Sequence, residues 1–85
     1  MTAKADVIRT IYGQVGAPAW AAPNLDGLAD VLRDLSWLPE RPVHLTLPEL
    51  SGLRADERTA LLRVLAEAVT ESIASARPVR IQDRE

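Results

Sequence analysis

The chain has no cysteine in its 85 residues. That removes both a disulfide framework and a thiolate metal site, and nothing in the sequence asks for an oxidising compartment. A reducing cytoplasm is the expected setting. Histidine is almost as scarce: His44 stands alone, inside a stretch that reads as a strand, so a structural role is expected of it. Ser36, Ser51, Ser72 and Ser75 have neither a nucleophile-elbow setting nor a lysine partner. The four glycines are scattered and make no phosphate-cradling loop. Neither an enzyme nor a cofactor site is expected. No run of about 18 apolar residues is available to cross a membrane, and MTAKADVIRT has no apolar signal-peptide core. Net charge is only −2, with no basic stripe of the kind direct nucleic-acid binding needs.

What is present is the composition of an ordinary globule, 47% hydrophobic and 26% charged. At this length one domain, residues 1–85, with one compact core is expected. Residues 3–15 place Val7, Ile11 and Val15 at four-residue steps beside Ile8 and Tyr12, an amphipathic helix with Thr2 as a candidate cap and Gly16 as its stop. Pro18 and Pro23 keep residues 17–23 out of helix. Trp20 argues that this loop is ordered. Asn24 is a good N-cap for a helix from Leu25 to Leu35, with Leu25, Leu28, Leu32 and Leu35 inward and Val31 beside them. Alternation over Val43–Leu47 predicts a strand with His44 and Thr46 on its other face. PELSGL suggests one short helical turn. A long helix follows over 55–76, with Leu62, Leu65, Val69 and Ile73 inward, and then a second short strand around Val79 and Ile81. Strand, helix, strand implies parallel pairing through a right-handed crossover. The fold class is α/β: a short parallel sheet of two to three strands packed against three or four helices.

Charge is distributed unevenly. Between Pro18 and Glu40 stand Asp26, Asp30, Asp34 and Glu40 against Arg33 alone, while eight acids and nine bases share the rest of the chain. Asp26, Asp30 and Asp34 are four residues apart, which on a helix is one face with neighbouring Cβ atoms about 5–6 Å apart. Like charges at that spacing cost about 0.2–0.5 kcal/mol per pair. The macrodipole favours Asp26 at the helix start and disfavours Asp34 in the last turn, so helix electrostatics does not account for the row. A solvated helix face would produce such a row. Metal binding is a poor prospect, because two carboxylates without histidine make a poor cage. A protein-binding surface would account for the row and also for Trp20 and Trp37 bracketing it, since large aromatics around charge mark interface hot spots. Packing into the core is the alternative for the tryptophans.

The stretch PAWAAPNLDGLADVL resembles the signature of the barstar family, intracellular protein inhibitors of secreted microbial ribonucleases. The signature is a proline, an aromatic soon after, Asn-Leu-Asp at a helix start and an Asp four residues on; here these are Pro18, Trp20, Asn24-Leu25-Asp26 and Asp30. The likeness in element order covers about residues 4–82. It implies a plug for a ribonuclease active site, with Asp30 central, Asp26 and Asn24 beside it, Trp20 stacking, Trp37 at the edge and Glu67 as an acidic contact from the long helix. The implied partner is a small extracellular-type ribonuclease, barnase-like or guanyl-specific, bound by a cytoplasmic immunity protein. A non-inhibitory interaction module, or an immunity protein against another toxin class, is the alternative. The chain departs from the family pattern in three places. It begins almost directly with a helix where the family has a strand, Ala29 stands where a tryptophan often precedes the central aspartate, and Ala22-Pro23 replaces a loop that often contains glycine.

Overall fold

A computed structural model describes residues 3–82. Helix α1 spans Lys4–Val15 and α2 spans Leu25–Asp34; strand β1 is Val43–Thr46, α3 is Ala55–Ser72 and β2 is Val79–Gln82. Val7, Ile8, Ile11 and Val15 recur on one side of α1 and are buried. Its N-cap is Ala3, which offers no side-chain cap; Thr2 lies outside the described residues. Gly16 ends the helix at φ +62°, a left-handed conformation that glycine adopts without a Cβ penalty.

Helix α2 ends in the same conformation on a less usual residue. Leu35 sits at φ 49° and sends its backbone N–H to the Val31 carbonyl. A leucine there costs about 1–2 kcal/mol in backbone strain. Burying its side chain recovers about 1.5–3 kcal/mol, and Leu35 is almost fully buried.

The two strands pair in parallel, Val43 opposite Val79 through Thr46 opposite Gln82. Val43 and Leu45 point into the core while His44 and Thr46 face out, so the sheet is covered on one face only. The ladder bonds from Val43 and Leu47 run to β2, which by alternation turns the backbone groups of His44 and Thr46 to the opposite edge. There the Gln14 side chain takes the place of a neighbouring strand. Its amide donates to the Thr46 carbonyl at 2.7 Å and accepts from the Thr46 N–H at 2.8 Å. Pro42 and Pro48, next on that edge, have no N–H to offer. On this edge of β1, pairing with another chain is thus limited to His44.

Three expectations change. Helix α3 ends at Ser72 instead of 76; the Ser72 hydroxyl accepts from the Val79 N–H at 2.8 Å, so the chain turns there to begin β2. Its buried stripe is Leu61, Leu65 and Ala68, while Leu62 and Ile73 are exposed and Val69 is half-buried. The stripe is rotated toward Ala68, which is buried on the side of α3 that packs in the core. The segment 48–52 forms a turn closed by Leu53 N–H to Leu50 C=O at 3.0 Å, without a helix.

Candidate protein-binding site

The surface around α2 is built from the loop that precedes it. A β-turn closes when the Ala21 N–H donates to the Pro18 carbonyl at 3.0 Å, and Trp20 occupies its third position. Trp20 is 58% exposed, the large residue this loop gives to solvent. The Ala22 carbonyl then accepts from the Asn24 N–H at 2.9 Å and from the Tyr12 hydroxyl at 2.6 Å. Asn24 opens α2 as expected: its side-chain oxygen accepts from the Gly27 N–H at 2.8 Å. Among the described residues nothing accepts from its amide nitrogen.

From this start Asp26, Asp30 and Asp34 follow along the exposed side of α2, opposite the buried Leu28, Val31 and Leu32. Leu25 is only half-buried. Asp30 is not a bare charge. Arg33, one turn on, donates to its carboxylate, with both side chains largely in solvent. Exposed pairs of this kind are worth about 0–1 kcal/mol, so the contact is easily exchanged for another cation. Asp30 also acts inward. Burial, and then the Asp30 charge, hold the Tyr12 hydroxyl above its ordinary value of 10.0, because ionising it would place a second negative charge beside the first.

Trp37 is half-buried against the core, and its indole N–H donates to the Val15 carbonyl at 2.8 Å. It satisfies one of the orphan carbonyls at the end of α1, and its polar handle is thereby used within the fold. Glu67 is exposed on α3. Glu71, one turn further, is the acid of α3 that lines a groove of about 380 Å³ against the end of α2, which Arg33, Asp34 and Arg77 also line. His44 faces solvent from β1. The structure therefore brings Trp20, Asn24, Asp26 and Asp30 onto one continuous loop-helix segment, with Trp37 and Glu67 on other elements.

Sequence reasoning missed Tyr12, Gly27 and Arg33. The last was legible, since Arg33 follows Asp30 by three residues on the same helix. Gly27 carried a weaker signal, as a glycine in the first turn of a helix that it weakens. The Tyr12 contact spans ten residues of sequence and has no local signature. Among the described residues no group of three or more histidines, aspartates or glutamates lies close enough to hold a metal ion. No described helix is long and apolar enough to cross a membrane.

Fold and surface together define a class: a small α/β protein that presents an acidic helix face behind a loop-borne tryptophan. The chain belongs to the barstar (barnase inhibitor) family, whose model matches residues 1–84. That family is one of inhibitors and not of enzymes. No curated protein and no solved structure matches the chain.

Proposed function

We propose that the chain inhibits a small ribonuclease of the barnase-like or guanyl-specific kind, blocking its active site with α2 and the 17–23 loop. In the cytoplasm of the producing cell such an inhibitor acts as an immunity protein, the antitoxin to a secreted nuclease toxin. The carrying observation is the exposed Asp30 carboxylate on a rigid helix beside exposed Trp20, in a chain of an inhibitor family. A ribonuclease cleft is positively charged because it holds a phosphodiester. A helix-mounted carboxylate offers the matching charge with no bond to cleave.

In this reading Asp30 takes the place of the substrate phosphate. Asp26 adds a second negative charge one turn earlier, and the Asn24 amide nitrogen donates to the enzyme. Trp20 stacks against the cleft wall, with Trp37 contributing ring surface at the rim and Glu67 an outlying charge. Fixing these groups on a helix and a hydrogen-bonded loop lowers the ordering cost of binding.

Titration against a panel of small secreted ribonucleases tests this. One of them should be inhibited one to one, with an association rate that falls as salt screens the attraction; the barnase–barstar pair is itself a measured example of such steering. A panel left fully active, with another toxin captured through the Asp26–Asp30 face, would transfer the site to a different nuclease or toxin class.

A further inference from the structure

The loop that carries Trp20 is tied to α1 by one hydroxyl and lies against α2 where one methyl is absent. Tyr12, on α1, donates to the Ala22 carbonyl at 2.6 Å. Directly beneath that carbonyl lies Gly27, in the first turn of α2. A Cβ on Gly27 would stand 2.3 Å from the Ala22 oxygen and 2.9 Å from the Tyr12 hydroxyl. Ordinary contact begins near 3.4 Å, so a side chain would drive the loop outward by about 1 Å.

Conformation does not require glycine here. Gly16 is the glycine with positive φ, and Gly27 is helical. Glycine is also among the poorest helix formers, and this position weakens the helix that carries the acidic row. What Gly27 provides is space for a carbonyl, and Tyr12 uses that space to fix the loop. Loop, Tyr12 and the first turn of α2 therefore meet at one point, the Ala22 carbonyl.

We propose that Tyr12 and Gly27 are positioning residues for partner binding: they hold the Trp20 loop and the Asp26–Asp30 face in their bound arrangement before a partner arrives. The inference rests on the inhibitor reading only for the identity of the partner. Prepaid loop ordering appears mainly in the dissociation rate, since related complexes differ chiefly there.

The test uses the full chain with both tryptophans replaced biosynthetically by 5-fluorotryptophan, together with dissociation kinetics from the inhibited ribonuclease. In Tyr12→Phe and Gly27→Ala the Trp20 fluorine resonance should move toward the solvent-exposed position while that of Trp37 stays. Dissociation should accelerate about tenfold in Tyr12→Phe, the equivalent of one lost hydrogen bond, and more in Gly27→Ala. Gly13→Ala is the control, because nothing lies within 4 Å of a Cβ there; it should change neither readout. A purely structural role would lower the melting temperature and leave the Trp20 resonance and the dissociation rate in place, and that result overturns the proposal. If the parent chain inhibits no ribonuclease, the functional reading fails while the Trp20 resonance still decides the positioning role. If the parent inhibits and both variants dissociate like it, the positioning role fails and the functional reading stands.

Discussion

Arg33 pairs with the carboxylate that the proposed function assigns to a basic partner, so on that reading replacing it by glutamine should tighten binding. The side chains of Arg33 and Asp30 are 62% and 58% exposed, and an exposed pair contributes at most about 1 kcal/mol to folding. Arg33→Gln should therefore leave stability nearly unchanged. In a complex the sign reverses. An enzyme cation that takes Asp30 must displace Arg33 and then remain near it, two positive charges about 8 Å apart around one carboxylate. Coulomb repulsion at that separation is about 0.5 kcal/mol with full water screening and about 2 kcal/mol at the effective dielectric of a protein surface. Removing it should lower Kd roughly two- to thirtyfold. Stopped-flow association and competition dissociation against the inhibited ribonuclease would measure both rates. The on-rate should rise and its salt dependence steepen, because the local excess of negative charge grows by one. Weaker or unchanged binding by Arg33→Gln would refute the reasoning: Asp30 would not be the group exchanged, or Arg33 would itself be donating to the partner.

The rotated stripe of α3 predicts opposite outcomes for adjacent leucines. Leu61→Ala should cost about 2–5 kcal/mol by chemical denaturation, whereas Leu62→Ala, at a position 41% exposed, should stay within about 0.5 kcal/mol. Alkaline titration reports on Tyr12. Because its folded-state value is raised above 10.0, its contribution is complete below about pH 10 and is lost as pH rises through the raised value. Denaturation followed from pH 9 upward should show a steeper loss in the parent chain than in Tyr12→Phe.

Much of the architecture was legible because periodicity reports directly on burial. The four-residue steps of Val7, Ile11 and Val15 and the alternation of Val43, His44 and Leu45 each have one low-energy arrangement. Asn24 was legible for the same reason, since a capping side chain acts on its own neighbours. Helix α3 was harder: leucine or valine falls at 61, 62, 64, 65 and 69, so several stripes satisfy the pattern, and packing against α2 chooses among them. The buried stripe includes Ala68, a residue too small to stand out in a pattern of leucines and valines. The end of α3 depends on Ser72 meeting Val79.

At the site, the row of three aspartates follows from local sequence, whereas the exposure of Trp20 is decided by the structure, because core packing fits the same residues. Nor does the restraint on the loop follow from local sequence. Tyr12 reaches Ala22 from another helix, and the reason for Gly27 appears only when the Ala22 carbonyl lies over it. Gln14 is a parallel case on the sheet. A glutamine on an amphipathic helix gives no hint that its amide will serve as a missing strand for Thr46. Trp37 carries a second contact that its place in the sequence does not announce: its indole N–H donates to the Val15 carbonyl, a partner 22 residues away.

The most direct measurement compares the parent chain with Asp30→Ala in titrations of the inhibited ribonuclease, alongside the melting temperature of each. Truncating one member of a charge pair desolvated at an interface costs about 2–5 kcal/mol. Asp30→Ala should therefore raise the inhibition constant at least about thirtyfold, with melting almost unaltered because the side chain is exposed and lightly paired. Equal inhibition by the two proteins would contradict the account, since α2 could not then be the element that fills the active site.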